Sequence, residues 1–367
     1  MRITIVAGAR PNFMKIAPII AVIERKKKVE GLDINFRLIH TGQHYDKKMS
    51  GDFFIQLGIP EPNFNLEAGG GSQSEQTAAI MIRFEKELQE NPADLVLVVG
   101  DVTSTMACAI VAQKLHVKVA HVEAGIRSGD WSMPEEINRL VTDSITNYFF
   151  TTSEVANANL RSSGIENERI FFVGNTMIDT LISQRANFIK PEIWDRLGLT
   201  KENYIVMTLH RPANVDEEDN LKNLMREILD SSQNLDLIFP IHPRTAKILA
   251  GLGISDPRLH IIEPLGYLEF NYLVERAKAV ITDSGGITEE TSFMGIPCIT
   301  LRDNTERPET ITLGTNELIG TDPKAIKKAM NKLFSNEWKK GKEIPLWDGK
   351  TSERIVDALI KLFKNEN

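Results

Sequence analysis

The sequence predicts an α/β fold made of two doubly wound domains, each around a parallel sheet. Three observations lead there. Short apolar runs alternate with helix-period segments, and the runs are near-continuous, as in strands buried on both faces. The alternation runs through nearly half of the chain and then restarts. The chain has 367 residues, more than one ordinary core accommodates.

The first strand is ITIVAG at 3–8, and Gly8 turns the chain into a helix over FMKIAPIIAVIERKK. The KKK at 26–28 is the solvated end of that helix. NFRLIHTG at 35–42 and LVLVVGD at 95–101 follow as buried strands, then a helix over STMACAIVAQKL, then VKVAHVEAG at 117–125 and NYFFTTS at 147–153. ERIFFVGNT at 168–176 restarts the pattern. YIVMTLH (204–210), LDLIFPIH (235–242), LHIIEPL (259–265), KAVITDS (278–284) and IPCITLR (296–302) complete a second unit of similar size. This places the domains at 1–170 and 171–351, with a hinge around 170–182 and a C-terminal helix of about 352–367 packing back on the first domain. No low-complexity linker separates the halves, so an interdomain cleft is expected. Ligands of open α/β sheets bind beyond the carboxyl ends of the strands. Arg10, His40, Asp101, Glu123, His210, His242 and Ser284 all fall at such ends.

Composition narrows the function. The net charge is −7, from 43 basic and 50 acidic residues, with no dense basic stripe, which argues against nucleic acid. Two cysteines, Cys108 and Cys298, lie in apolar stretches, as buried thiols do in a reducing compartment. No His/Cys spacing suits a metal. No run of about 20 apolar residues occurs, so no membrane span is expected, and the location expected is cytoplasmic.

Several segments carry candidate chemistry. GARPNFMK at 8–15 is not a GxGxxG dinucleotide loop, but Arg10 and Lys15 sit at a helix entry where a phosphate binds well. Asp101 in VVGDVTST reads either as a helix N-cap or as a carboxylate at a strand end. Glu123 ends a strand, where an ionised group needs a partner. Glu135 and Glu136 open a helix behind Pro134, and Glu135 with Arg139 also reads as a surface i,i+4 pair. His210 and His242 end neighbouring strands, and His40 with Gln43 and His44 forms HTGQH. Ser284-Gly285-Gly286 bares backbone N–H groups at a helix start, a site for an anion, and Glu289 and Glu290 follow. RDNTERPE at 302–309 adds Arg302, Glu306 and Arg307.

GARPNFMKIAP, HTGQHYD, VVGDVTST, HVEAGIRSGDWSMPEEINR, VGNTMIDTL, LHRPANVD, IHPRT, ITDSGGITEE and RDNTERPE run in order along most of the chain. Together they resemble the non-hydrolysing UDP-N-acetylglucosamine 2-epimerases. The resemblance implies a GT-B-like pair of Rossmann-like domains and an isomerase interconverting UDP-GlcNAc and UDP-ManNAc, for surface polysaccharide. In that family UDP is eliminated across C1–C2 to give 2-acetamidoglucal and is then added back. The matching catalytic positions are Asp101, Glu123, Glu135 and His210. Substrate contacts match Arg10, Lys15, Arg139, His242, Tyr267, Phe270, Ser284, Gly285, Gly286, Glu290 and Arg307. No cofactor and no metal are implied, since UDP itself leaves and returns. A homodimer is implied as well.

Two departures stand out. Gly8-Ala9-Arg10-Pro11-Asn12 replaces the usual Gly-Thr-Arg-Pro-Glu. Gln43 and His44 match a regulatory UDP-GlcNAc site of some relatives, whereas Asp46 and the Gly69–Gly71 region depart from it. Relatives with the Gly-Ala-Arg-Pro opening include enzymes for UDP-diacetamido-uronic acids, the main alternative. A GT-B glycosyltransferase, a hydrolysing epimerase and a UDP-sugar sensor are the others.

Overall fold

The computed structural model describes residues 1–42, 54–215, 218–241, 246, 249, 251 and 253–365. The chain divides into two units. The first comprises Met1–Ser183 and Pro345–Asn367, and the second Gln184–Ile344.

The first unit holds a seven-stranded sheet. Its strands are β1 (Arg2–Ala7), β2 (Asn35–His40), β3 (Phe64–Asn65), β4 (Leu95–Val99), β5 (Lys118–Val122), β6 (Tyr148–Thr151) and β7 (Ile170–Phe172). They lie in the order β3-β2-β1-β4-β5-β6-β7, and every pairing is parallel. The second unit holds a six-stranded sheet of β8 (Tyr204–Thr208), β9 (Asp236–Pro240), β10 (Leu259–Ile262), β11 (Ala279–Thr282), β12 (Cys298–Thr300) and β13 (Asn316–Leu318). Its order, β10-β9-β8-β11-β12-β13, repeats the winding of the first, again all parallel. Two doubly wound, Rossmann-like sheets of this kind make a GT-B-like chain.

The near-continuous apolar strands have the reason expected of them: both faces are covered. In β4 all five residues are buried. Val96 and Val98 pack with Ile80, Phe84, Ala107 and Cys108 from the helices Gln73–Glu90 and Thr103–Lys114. In the second sheet Ile205 and Met207 meet Leu221, Leu224 and Ile228 of the helix Glu218–Ser231, whose apolar residues repeat at three- and four-residue steps. On the other face Tyr204 and Val206 meet Leu273 and Val274 of the helix Tyr267–Arg276. Each such buried aliphatic or aromatic side chain contributes about 1.5–3 kcal/mol.

One boundary differs from the sequence reading. The strand at 170–172 was expected to open the second domain, but it pairs with β6 as the edge of the first sheet, and the division falls after Ser183. A short strand of three residues gains its partners from the sheet it joins, whatever follows it in sequence. The helix Thr351–Asn365 returns to the first unit. Asp179 caps its start, accepting from the backbone N–H of Thr351 (3.2 Å) and Ser352 (2.7 Å). Arg25 with Glu353 and Lys26 with Asp357, each at 2.8 Å, hold it to the first long helix. No described helix is long and apolar enough to cross a membrane.

Candidate active site

In a doubly wound sheet the strand order reverses beside the first strand, and ligands bind at the carboxyl ends there. In the first unit the reversal lies between β1 and β4. Past β1, the Gly8–Ala9 turn is held by Asn12, whose Oδ1 accepts from both backbone N–H groups at 3.1 and 3.0 Å. Asn12 Nδ2 donates to the Val99 carbonyl at 3.1 Å, joining the ends of β1 and β4. The asparagine at this position is therefore a buried loop brace. Gly8 is needed because a β carbon there would lie 2.1 Å from Ser104 Oγ. Arg10 opens the following helix and is exposed.

Past β4, Gly100 has φ +69°. A β carbon on it would meet Lys15 Nζ at 3.3 Å, Asn12 Nδ2 at 3.5 Å and Glu123 Oε2 at 3.6 Å. Lys15 and Glu123 form an ion pair of 2.5 Å, with their side chains 12% and 2% exposed. Glu123 itself has φ +69°, a rare conformation for a residue with a side chain. Such strain persists only where the surroundings enforce it, and functional sites are where it clusters.

Asp101 is not the N-cap of the next helix. Val102 occupies that place with no side-chain bond. The Asp101 carboxylate instead accepts from Arg139 Nε at 3.0 Å and Nη2 at 2.6 Å. Arg139 is buried, so the surface-pair reading with Glu135 also falls. Its second carboxylate is Glu136, at 2.6 Å. Glu136 accepts in addition from Ser128 N, Ser128 Oγ and Gly129 N at 2.9–3.0 Å, fixing the glycine loop. These donors hold its carboxyl below the usual range although burial alone would raise it. Its neighbour Glu135 is half-buried.

Beneath these groups lies a second layer. His121, on β5, sits with Nδ1 2.8 Å from Asp143 Oδ1 and Nε2 2.8 Å from the Gly100 carbonyl. Asp143 Oδ2 accepts from Gly125 N at 3.0 Å and from Arg127 at 2.6 Å. His40 is also buried, with Nδ1 accepting from Gly42 N at 2.7 Å, and burial pushes it down to about 4.

In the second unit the reversal lies between β8 and β11. Asp283, past β11, is fully buried and accepts from the backbone N–H of His210 (3.0 Å) and Arg211 (2.9 Å) and from Asn214 Nδ2 (3.0 Å). Its Oδ1 lies 2.7 Å from His210 Nδ1. Burial would raise this carboxyl, but its donors, His210 first, hold it low. The His210 side chain is 62% exposed. Ser284 stands at the N-cap position of the helix Gly285–Met294 with no side-chain bond to it, and its own N–H donates to Thr282 Oγ1 at 3.0 Å. The Glu306 carboxylate, held by Arg302 at 2.7 Å, lies against Gly285, where a β carbon would come within 2.7 Å of it.

The two glutamates of this helix turn inward. Glu289 pairs with Arg307. Glu290 accepts from Tyr267 Oη at 2.8 Å, and burial pushes its carboxyl up to about 7. Phe270, half-buried, packs into the core of that side. Of the expected site residues, the structure brings together Lys15, Asp101, Glu123 and Arg139 in the first unit. In the second it gathers Tyr267 with Glu290, and places His210 on Asp283 beside Ser284. Gln43, His44 and His242 lie outside the described residues. Among the described residues no cluster of His, Cys, Asp or Glu suits a metal ion.

The sequence reading missed Asn12, His121, Asp143, Glu136 as the Arg139 partner, and Asp283 as an organising group. One signal was present: residues 136, 139 and 143 fall on one helical face, at i, i+3 and i+7.

A family model described as UDP-N-acetylglucosamine 2-epimerase matches residues 27–360. The UDP-N-acetylglucosamine 2-epimerase of Methanocaldococcus jannaschii is 42% identical, over 98% of this chain and 99% of its own length. The UDP-2,3-diacetamido-2,3-dideoxy-D-glucuronate 2-epimerase of Pseudomonas aeruginosa is 36% identical, over 99% of this chain and 100% of its own. The crystal structure of the M. jannaschii UDP-GlcNAc 2-epimerase in complex with UDP-GlcNAc and UDP superimposes with a TM-score of 0.86, covering 98% of this chain and 100% of that one at 41% identity.

Proposed function

The chain belongs to the UDP-N-acetylglucosamine 2-epimerase family, and from that premise we propose that it inverts C2 of UDP-GlcNAc, interconverting it with UDP-ManNAc without hydrolysis. The observation that carries this reading is the pair of cation-held carboxylates, Asp101 and Glu123, around Gly100.

C2–H is not next to a carbonyl, so its proton leaves only with a good leaving group on C1. In the elimination C2–H and the C1–O bond to UDP break and a C1=C2 double bond forms, giving 2-acetamidoglucal. Re-addition of UDP, with a proton delivered to the other face of C2, completes the inversion. Asp101, Glu123, Glu135 and His210 are the groups we assign to these proton transfers, each contributing ~10²–10⁴-fold. Charge grows on the departing phosphate. The N–H groups of Gly285 and Gly286 at the helix start, with Arg10 and Arg307, would stabilise it. Glu290, beside Tyr267 and Phe270, is suited to accept from ribose hydroxyls. Arg139, Lys15 and His242 complete the contacts we assign. The UDP-ManNAc made would feed surface polysaccharide from a cytoplasmic homodimer.

Proton NMR in D₂O with UDP-GlcNAc tests the reading. Deuterium should enter C2 as UDP-ManNAc accumulates. Free ManNAc would mean the hydrolysing reaction. A C2 left unexchanged in UDP-GlcNAc, with exchange in the UDP-diacetamido-uronate, would move the substrate to the second reading, which the similarity to the P. aeruginosa enzyme favours. No exchange in either would overturn epimerisation: UDP-GlcNAc bound and left intact would point to a UDP-sugar sensor, and UDP released only with an acceptor present would point to a transferase.

A further inference from the structure

We infer that His121 and Asp143 are positioning residues for the C2 chemistry: a buried histidinium–carboxylate pair that fixes the separation of Asp101 from Glu123. The roles of Asp101 and Glu123 rest on the proposed function; the pair itself rests on geometry.

Both nitrogens of His121 face acceptors. Nε2 is 2.8 Å from the Gly100 carbonyl, which has no proton to give. Nδ1 is 2.8 Å from Asp143 Oδ1. The other oxygen of that carboxylate already takes the Gly125 N–H at 3.0 Å and Arg127 at 2.6 Å, the environment of an ionised group. Those donors, His121 first among them, keep the Asp143 carboxyl below its usual range against the pull of burial. Both ring nitrogens therefore carry hydrogen, because a neutral ring would set a lone pair against a carbonyl or a carboxylate. The side chains are 1% and 4% exposed, so no water takes up the mismatch.

The pair reads as a strut. The Gly100 carbonyl belongs to the peptide that leads into Asp101. Gly125 lies two residues beyond Glu123. One chain of hydrogen bonds thus runs from the Gly100 carbonyl through His121 and Asp143 to the Gly125 N–H, with a candidate acid next to each end. Between these ends, Glu123 is held at positive φ while its own N–H and that of Ala124 both go to the Phe150 carbonyl, at 2.9 and 3.1 Å. The helix bearing Asp143 also carries Asn138 and Arg139, which hold the backbone carbonyl and the carboxylate of Asp101 at 2.8 and 2.6 Å. One helix therefore registers both acids, and the ion pair connects its far end to the strand ends.

The test has two arms. In the first, enzyme labelled with ¹⁵N-histidine is read by NMR, free and with UDP. One of the seven histidines should show both ring N–H protons, protected from exchange, in either state. If no histidine does, the pair is overturned, and this arm needs neither turnover nor a variant. In the second, His121→Gln keeps a donor toward Gly100 and His121→Asn keeps one toward Asp143. Each should lower kcat for C2 exchange about 10²-fold, the scale of a small misplacement of reacting groups, with KM and UDP affinity unchanged. Wild-type kcat in both variants, or a kcat loss matched by a loss of UDP affinity, overturns the positioning role. Absence of C2 exchange in the wild type overturns the proposed function instead, while the ring N–H signals still decide the ion pair.

Discussion

Each unit places a histidine on a buried aspartate, and the two pairs are built for opposite ends. In the first unit His121 is 1% exposed and both its nitrogens are bound. In the second, His210 is 62% exposed, and Asp283 holds only its Nδ1 side. The sheets have the same strand order, so the topology does not make the difference. Solvent access does. A histidine with both nitrogens committed in the interior can only hold things in place. One with a carboxylate behind it and its other nitrogen exposed can exchange a proton with a bound molecule. The residue type alone does not separate the two jobs, since both sit at strand ends.

The comparison breaks most sharply at His210. His210→Asn keeps a donor toward Asp283 and removes the ring nitrogen that can transfer a proton. Turnover should fall by ~10²–10⁴-fold, more than for either His121 variant, while calorimetric UDP binding survives. Asp101→Asn, Glu123→Gln and Glu135→Gln are expected to behave as His210→Asn does. Normal exchange at C2 in any one of these removes that residue from the mechanism. If His210→Asn turned over as well as a His121 variant, the exposed histidine would be no more chemical than the buried one.

This contrast also marks how much the sequence tells. Apolar runs determine the strands, because a strand covered on both faces must be apolar, and the two parallel sheets were legible for that reason. Asp101, Glu123 and the Ser284–Gly286 helix start drew attention because they follow strands, and Lys15 because it lies early in the helix behind β1. Which carboxylate meets which cation was not legible. Arg139 chooses Glu136 over Glu135 because the helix turns Glu136 toward the glycine loop, where three further donors await it. Asp283 escaped notice as an organising group because its donors come from residues 69 to 73 positions away, a contact that local pattern does not record. The edge strand β7 went to the wrong domain for the same reason. Its sheet membership is decided by pairing with β6 and not by its own three residues.

Two buried glutamates sharpen the comparison next. Glu123 lies against the Lys15 ammonium. Glu290 has a neutral phenol for a partner and Glu289 as a neighbour, and its carboxyl sits near 7 against an ordinary 4.5, burial being the main cause. The folded chain thus keeps a proton that the unfolded chain has released between those values. The stability from Glu290 is complete below the ordinary value and is lost as pH rises through about 7. Relative to Glu290→Gln, the wild type should lose on the order of 3 kcal/mol across that window in urea unfolding. UDP affinity should run the other way. Ribose hydroxyls donate best to the ionised group, so binding tightens as pH rises through that value, and the pH dependence flattens in Glu290→Gln. An affinity indifferent to pH in the wild type would detach Glu290 from the nucleotide.

The smallest effect is expected where the two sheets differ by one residue. After the fourth strand of the first sheet comes Gly100, and after the fourth of the second comes Asp283. In the second unit that position supplies a side chain, the acceptor on which His210 rests. In the first it must supply none. Gly100 has φ +69°, and the space a β carbon would take is bordered by Lys15 Nζ at 3.3 Å and Glu123 Oε2 at 3.6 Å. Gly100→Ala should therefore cost ~1–2 kcal/mol for the left-handed backbone, seen as a lower urea midpoint. The added methyl also presses on the flexible end of Lys15, which can yield by a few tenths of an ångström. Turnover should accordingly fall by less than in His210→Asn, with UDP binding unchanged. A stable Gly100→Ala protein with normal turnover would show that the first switch point tolerates a side chain, and that its empty space is not what brings Lys15 and Glu123 together.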